Sequence, residues 1–286
     1  MYIVNILNNN AVLARMDSGQ ETVVIKNGIG FNRKKGGYIG EKDVDKLFIL
    51  TDGTLSKSLL KAFTEMSEEI LLVSKEVIEY GENIIDKNLN DSVYLTLTDH
   101  INEVIKRYNS NFPIINPLSW DLKKIYPQEY KVGTYAVHLI NDRLGVKLPN
   151  EEAGFIAMHF INASFPSNTK YMNDIASITL LVRKILSVVN YSLKEEIDED
   201  SIEYYRFIRH LDFFAQKVIE GYNTVTPNPL DKDMYNIIVE RYEESFQCAL
   251  KIKTLVDYEY KVEVSKEDVF YLSLHINKLI SREKKE

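Results

Sequence analysis

Four of the five histidines occupy matched positions in two similar parts of the sequence. The segment YLTLTDHINEVIKR at 94–107 aligns with YYRFIRHLDFFAQK at 204–217, which places His100 over His210. Histidine is the side chain whose charge changes most readily near neutral pH. In both segments the apolar residues recur at helical spacing, so each histidine is predicted to lie on an amphipathic helix.

The second matched pair lies further along each part of the sequence. EEAGFIAMHFIN at 151–162 aligns with EDVFYLSLHINK at 267–278, which places His159 over His275. The offset is 110 residues for the first pair and 116 residues for the second. A repeat of this length predicts two copies of one helical domain rather than a solenoid of short repeats.

A single histidine in an apolar stripe is usually a partly buried core residue, and His138, which has no counterpart, keeps that interpretation. Packing alone would accept Leu or Phe at the four matched positions, so their presence in both copies indicates that the imidazoles are used. Metal binding is disfavoured, because the sequence offers no histidine pair at i, i+4. Asp99 and His100 are adjacent and point about 100° apart on a helix, so they cannot share one ligand face.

Nucleophilic chemistry remains open, because imidazole can accept a phosphoryl group. A phosphoryl group would bring about two negative charges into the stripe around His100. Lys106 and Arg107 follow on the same predicted helix and are natural partners for that charge. The pattern therefore favours a switch controlled by phosphorylation.

A second candidate site is the glycine-rich, basic segment GIGFNRKKGGYIG at 28–40. Residues 1–40 contain five basic and two acidic residues, a net charge of +3, whereas the whole chain has a net charge of −7. A basic run alone is more often a solvated loop than a nucleic-acid contact. Phe31 beside Arg33, Lys34 and several amides makes this run a better candidate, because stacking, amide recognition and positive charge are combined in RNA recognition.

The elements that must position these residues differ along the chain. YIVNIL, AVLARM, ETVVIK and KLFIL are short β-branched runs separated by turn residues, and they predict a small antiparallel sheet over residues 1–50. Helical periodicity follows to the C-terminus and is interrupted by SFPSNTK at 164–170. The predicted fold is multidomain, a small antiparallel β-sheet domain followed by two homologous all-α helical-bundle domains. The expected domain boundaries are 1–55, 57–168 and 169–286.

Several classes of protein are disfavoured by the composition. The lone Cys248 cannot form an internal disulfide or a cysteine-based metal site. No window approaches the roughly 18 consecutive apolar residues of a membrane span, and the N-terminus lacks the features of a signal peptide. Together these observations predict a cytoplasmic protein without membrane insertion. The sequence contains neither a phosphate-binding glycine loop nor a G-x-S-x-G motif, and it predicts no cofactor, no metal and no enzymatic activity.

The motifs, taken together and in order, resemble the BglG/SacY-type transcriptional antiterminators. The matching segments are LNNNAVLA, GIGFNRKKG, LTDHI, NPLSWDLKKIYPQEYKVG, LPNEEAGFIAMHFINA, RFIRHLDFFAQK and YLSLHI. The resemblance extends over essentially the whole chain. It implies a co-antiterminator RNA-binding domain followed by two phosphotransferase-system (PTS) regulation domains.

The resemblance also implies the roles of individual residues. The family's four regulatory histidines fall on His100, His159, His210 and His275. The residues expected to support the phosphorylation sites are Asp99, as a neighbour that orients His100, and Arg107, Arg206 and Lys217. The residues expected to bind RNA are Asn8, Asn10, Lys26, Asn27, Gly28, Phe31, Arg33 and Lys34.

Two departures from the family pattern concern these residues. Lys26-Asn27 stands where the family has a glycine followed by a basic residue. Lys217 and Lys278 stand where an arginine is common. Lysine keeps the charge but loses bidentate phosphate geometry, so weaker phosphate contacts are expected in the second helical copy.

The function implied by the resemblance is transcription antitermination. As a homodimer, the protein is expected to bind a leader RNA hairpin, rather than DNA, and to block the terminator of a sugar-utilisation operon. A sugar-specific PTS permease would phosphorylate the first helical domain and inactivate the protein, whereas HPr would phosphorylate the second and activate it. Two alternatives remain open, a PTS-phosphorylated interaction regulator without RNA binding and a metal phosphohydrolase.

Overall fold

The computed structural model describes residues 1–50, 66–110, 116–165, 172–193, 197–221 and 239–280. The chain divides into two compact units, Met1–Thr169 and Lys170–Glu286. The segment TDGTLS at 51–56, which spans the expected boundary between the first two domains, lies outside the described residues, and so does most of SFPSNTK.

The first 50 residues, here called the sheet domain, form a four-stranded antiparallel sheet with strand order β1-β2-β3-β4. The strands are β1 (Tyr2–Asn8), β2 (Ala11–Arg15), β3 (Glu21–Ile25) and β4 (Lys46–Ile49). Each strand pairs with the next in the sequence, as expected where polar turns separate short β-branched runs. The expected small antiparallel sheet is confirmed, including the fourth strand from KLFIL.

The two faces of the sheet are buried in different cores, because successive side chains of a strand point to opposite faces. On one face the buried residues belong to the sheet domain itself, and these are Ile3, Val12, Ala14, Val24, Ile29 and Ile39. On the other face the buried residues join the helical core of the first unit, and these are Ala11, Val23, Ile25 and Phe48. The Phe48 ring meets Tyr94 edge-on, with the ring centroids 5.0 Å apart.

Five helices complete the described part of the first unit. They are α1 (Glu68–Ile84), α2 (Ser92–Asn109), α3 (Ser119–Ile125), α4 (Pro127–Leu144) and α5 (Glu152–Ala163). The N-cap of helix α1 is Ser67, whose hydroxyl accepts a hydrogen bond from the Ile70 amide at 3.3 Å. Helix α4 is followed by Gly145, a C-cap in the left-handed conformation with φ 65°.

Four helices form the described part of the second unit. They are α6 (Met172–Ser192), α7 (Ile202–Glu220), α8 (Glu243–Tyr260) and α9 (Lys266–Ile280). Helix α7 corresponds to α2, and α9 corresponds to α5, as the two aligned segments require. The internal duplication is therefore present in the structure.

A third equivalence between the halves was not found in the sequence. Near the end of α4, the Asn141 side chain accepts a hydrogen bond from the amide of Leu148, which follows the helix, at 2.7 Å. Near the end of α8, the Asp257 side chain accepts a hydrogen bond in the same way from the Val264 amide at 2.9 Å. Both pairs are related by the same offset of 116 residues that relates His159 to His275. An Asx side chain therefore fixes the same turn in both copies, which brings the following helix to the same position.

Helix α6 is long and apolar enough over Asp174–Ser192 to cross a membrane, with a mean hydropathy of 1.3. Its apolar side chains, including Ile175, Leu181 and Ile185, are buried within the second unit. Arg183 and Lys184 stand in the middle of this helix, and Lys184 pairs with Glu259 on α8. Buried apolar residues together with central charges are typical of a core helix.

Candidate functional sites

In the first unit, the structure brings together His100 and His159, one histidine from each matched pair. His100 on α2 and His159 on α5 have ring centroids 4.8 Å apart, because these two helices pack against each other. His159 is 7% exposed, and its Nδ1 has no hydrogen-bond partner among the described residues. Burial, together with the positive charge of a protonated His100, lowers the pKa of His159 to about 3. His159 is therefore neutral at physiological pH.

A buried carboxylate adjoins this histidine pair. Glu152, in the first turn of α5, is 3% exposed. One of its oxygens lies 3.5 Å from His100 Nε2, and the other lies 3.3 Å from an Arg107 guanidinium nitrogen. A buried carboxylate requires such partners, and the helix N-terminus adds a favourable dipole. His100 Nε2 and the Glu152 oxygen that faces it are in ion-pair range, but neither atom has a hydrogen-bond partner among the described residues.

The carboxylate beside His100 is Glu152, whereas the sequence analysis expected Asp99 to orient this histidine. Asp99 is exposed and forms no hydrogen bond or ion pair with the other described residues. As a neighbour of His100 on a helix, Asp99 points away from α5, whereas Glu152 approaches from the helix that α2 packs against. The expected support from Arg107 acts through Glu152, so the order along the site is imidazole, carboxylate, guanidinium. Long-range packing, which sequence spacing does not reveal, selects the carboxylate.

The second histidine pair has a different environment. His210 on α7 and His275 on α9 are stacked, with ring centroids 3.8 Å apart and an interplanar angle of 26°. Burial lowers the pKa of His275 to about 4, with further lowering by His210 and Lys278. The pKa of the more exposed His210 is also lowered, by partial burial and by Lys278. Lys278 is thus part of this site, although it was absent from the expected supporting residues.

The acidic residue that corresponds to Glu152 has other partners in the second unit. Asp268 accepts a hydrogen bond from the Ser265 hydroxyl at 2.7 Å and lies 3.8 Å from the Lys217 ammonium. The described residues of this unit show no carboxylate paired with either ring. Arg206 is exposed one turn before His210, and Arg209 lies over the Phe213 ring at 5.9 Å. The surroundings of the second histidine pair are therefore more positive than those of the first.

In the sheet domain, consecutive asparagines hold the glycine-rich loop. Asn10 is buried, and its side-chain oxygen accepts a hydrogen bond from the Gly28 amide at 2.7 Å. The Asn10 side-chain nitrogen donates to Glu68 at 2.8 Å, and the Asn9 side-chain nitrogen donates to the other Glu68 oxygen at 2.9 Å. The Asn8 side chain accepts from the Asn10 amide at 2.8 Å. Asn8 and Asn10, both expected to contact RNA, here support the loop.

The loop itself presents the remaining expected RNA-binding residues. Gly30 packs so closely on β1 that an added Cβ would lie 2.1 Å from the Asn8 carbonyl oxygen, so only glycine fits. Phe31 is 65% exposed, and Asn27, Gly28 and Lys34 are exposed as well.

Two of the basic side chains are held by the loop's own backbone. Arg33 is exposed and donates to the Tyr38 carbonyl oxygen at 3.0 Å. The Lys26 ammonium donates to the Lys42 carbonyl oxygen at 2.8 Å and is turned back onto the domain.

Two exposed aromatic residues of the sheet domain were missed in the sequence. Tyr2 and Tyr38 are 52% and 60% exposed, and their rings meet edge-on with centroids 5.5 Å apart. Exposed aromatic faces on a basic domain are suited to base stacking. Of the two, Tyr38 could have been found in the sequence, because it begins the YIG that ends the glycine-rich segment.

The sequence matches two domain families. The CAT RNA binding domain family matches residues 1–57, and the PRD domain family matches residues 75–163 and again 183–279. The two PRD matches each contain one of the histidine pairs.

The comparison with individual proteins extends over almost the whole chain. The chain is 34% identical to the transcription antiterminator LicT of Bacillus subtilis, covering 99% of this chain and 100% of that protein. It is 33% identical to the beta-glucoside operon antiterminator of Dickeya chrysanthemi, covering 98% and 97%. The crystal structure of GlcT CAT-PRDI matches with a TM-score of 0.53 and 35% identity, covering 58% of this chain and 99% of that one. The chain belongs to the family of transcription antiterminators in which a CAT RNA-binding domain is followed by two PRD domains.

Proposed function

We propose that the protein acts in the cytoplasm as a homodimer that binds an RNA hairpin in the leader of a sugar-utilisation transcript. RNA binding would prevent formation of the overlapping terminator hairpin. Residues 1–55 would bind RNA, and residues 57–168 and 169–286 would regulate that binding. The observation that carries the proposal is a sheet domain with an exposed aromatic and basic loop, joined to two helical units that each contain a histidine pair.

We further propose that the four paired histidines accept phosphoryl groups from the PTS. A histidine nitrogen of this chain would attack the phosphorus, and the side chain that carries the phosphoryl group on the donor protein would leave. HPr and a sugar-specific permease are the proposed donors. The contact of His100 with Glu152 supports this role in the first unit, because a carboxylate can orient the imidazole, and the exposure of His210 supports it in the second.

The two histidine pairs are proposed to respond with opposite sign. A phosphoryl group on His100 would enter a site that already holds the buried charge of Glu152, and like charges in a buried site repel each other. On His210, Arg206, Lys217 and Lys278 could neutralise the added charge. Phosphorylation by the permease would therefore open the first unit and inactivate the protein, whereas phosphorylation by HPr would stabilise the second.

The RNA-binding proposal is tested with the full-length protein and the RNA hairpin transcribed from the leader of its own operon. Phe31→Ala should weaken binding by about 1–3 kcal/mol, because the exposed ring offers a stacking surface. Lys34→Ala should instead lower the slope of log affinity against log salt by about one, because it removes a phosphate contact. Tyr191→Ala is the matched control, because Tyr191 is an exposed aromatic residue of the second unit. Binding is measured by fluorescence anisotropy.

The second candidate function is a PTS-phosphorylated interaction regulator that does not bind RNA. It is favoured by the buried position of Asn10 and by the hydrogen bond that holds the Lys26 ammonium on the Lys42 carbonyl oxygen. Failure of the wild-type protein to bind the hairpin even at low salt would overturn RNA binding and leave this second function.

A further inference from the structure

Both asparagine side chains at the β1–β2 turn are bound by one carboxylate from the helical part of the first unit. Glu68 is the first residue of α1, and its two oxygens accept one hydrogen bond each from Asn9 and Asn10. We infer that Glu68 competes with RNA for these two asparagines, so that the first regulatory domain inhibits RNA binding directly. The inference rests on the proposed RNA-binding function.

The position of Glu68 is not explained by helix capping alone. Glu68 and Glu69 both lie in the first turn of α1, where a carboxylate is favoured by the helix dipole. Glu69 is exposed, as a solvated first-turn acid should be, whereas Glu68 is half-buried and has both oxygens occupied by the sheet domain. The helix dipole by itself does not explain why Glu68, unlike Glu69, binds the sheet domain.

The contact removes donors that an RNA ligand would need. The side-chain oxygen of Asn10 already accepts from Gly28, and its side-chain nitrogen donates to Glu68. Asn10 is also only 3% exposed, so the remaining N–H of its side chain is closed to a ligand while Glu68 is bound. The carboxylate also places a negative charge beside the glycine-rich loop, where it repels a phosphate backbone. The occupied N–H donors and the repulsion between like charges would both weaken RNA binding.

Further contacts stabilise the packing of the sheet domain on the helices of the first unit. Lys75 on α1 pairs with Asp45, and Lys46 on β4 lies 3.1 Å from Asp91 and 3.5 Å from Glu82. These ion pairs are partly exposed, so each contributes little by itself. The apolar contact of Phe48 with Tyr94 adds to them. Glu68 is therefore held beside the two asparagines as long as the sheet domain stays packed on the helices of the first unit.

The test compares full-length Glu68→Ala with full-length Glu69→Ala, which change the net charge by the same amount on the same helix turn. The probe is the fluorescein-labelled leader hairpin, and its affinity is measured by anisotropy at fixed salt. Glu68→Ala should bind about tenfold more tightly than the wild type, because two charge-assisted hydrogen bonds no longer compete. Glu69→Ala should stay within about twofold of the wild type.

A second variant keeps the inference testable if Glu68→Ala unfolds the first unit. Glu68→Gln retains the size of the side chain but has one acceptor oxygen and no charge, so it should give a smaller gain in affinity. Equal effects of the Glu68 and Glu69 substitutions, or no gain at Glu68 while the wild type binds RNA, would overturn the inference and leave the proposed function intact. If neither the wild type nor any variant binds the hairpin, the proposed function itself fails, and the inference fails with it.

Discussion

At the residue scale, the histidine pair of the first unit contains a histidine whose charged form is strongly disfavoured by burial. His159 lies between α2 and α5 with one ring nitrogen unpartnered, close to His100. For the proposed phosphoryl transfer to His159, the ring would have to be exposed by a movement. Glu152 and Arg107 are the groups whose ion pair would have to adjust in that movement.

The state of His159 predicts how the stability of the first unit depends on pH. The pKa of His159 is about 3 in the folded protein and about 6.5 in an unfolded chain. Between these values the unfolded chain binds a proton that the folded protein cannot bind. Stability is therefore complete above about pH 6.5 and falls as the pH is lowered towards 3, by about 1.4 kcal/mol per pH unit for this group.

The measurement is urea unfolding at pH 7, 6 and 5, followed by the fluorescence of Trp120, the single tryptophan, which lies in the first unit. His159→Gln should lack this loss, so its stability should approach or exceed that of the wild type at pH 5. The control is His138→Gln, because His138 is exposed and the expectation that it is a partly buried core residue was wrong. Parallel pH profiles for the wild type and His159→Gln would contradict a neutral buried His159.

At the element scale, the two histidines of the first unit are positioned by close packing of helices. Helices α4 and α5 approach so closely at Gly133 that an added Cβ would lie 2.1 Å from the Ala153 carbonyl oxygen. This contact fixes α5, the helix that carries both Glu152 and His159. Glycine costs about 1 kcal/mol relative to alanine inside a helix, so its presence here indicates that close approach outweighs helix propensity.

Gly133→Ala should therefore destabilise the first unit rather than stabilise it. The gain in helix propensity is about 1 kcal/mol, whereas pushing backbone against backbone typically costs about 1–3 kcal/mol or more. The net loss is measured by urea unfolding with Trp120 fluorescence. Thr134→Ala, at the exposed neighbouring position, is the control and should stay within about 0.5 kcal/mol of the wild type. A more stable Gly133→Ala protein would show that α4 and α5 can separate without cost.

At the scale of the whole molecule, regulation combines one RNA-binding sheet domain with two similar helical units of different charge. The first unit has a buried carboxylate beside its histidines, and the second has lysine and arginine side chains around them. Under the proposed regulation, the same chemical modification would therefore have opposite electrostatic consequences in the two units.

The opposite-sign model predicts opposite effects of a negative charge at equivalent histidines. His100→Asp should lower antitermination in a transcription reporter and shift the protein towards monomer in native mass spectrometry. His210→Asp should raise reporter activity and favour the dimer. His100→Ala and His210→Ala are the neutral controls. Because aspartate carries less charge than phosphohistidine, the decisive comparison uses protein phosphorylated enzymatically at each site. Changes of the same sign at both sites would refute the model.

The sequence by itself determined the sheet of residues 1–50, the helical pattern that follows and the duplication that pairs His100 with His210 and His159 with His275. These features depend on local periodicity and on similarity between segments, which are visible in one dimension. The exposed basic loop around Phe31 was also predictable, because its glycines and charges are contiguous.

Only the tertiary structure decided which side chains meet. The carboxylate beside His100 is Glu152 rather than its sequence neighbour Asp99, and the partner of Asn9 and Asn10 is Glu68, nearly 60 residues away. It also decided that His100 meets His159 in the first unit and that His210 meets His275 in the second, each across two packed helices. The physical reason is that a helix directs adjacent residues to different sides, so contacts at a site are selected by the packing of distant elements.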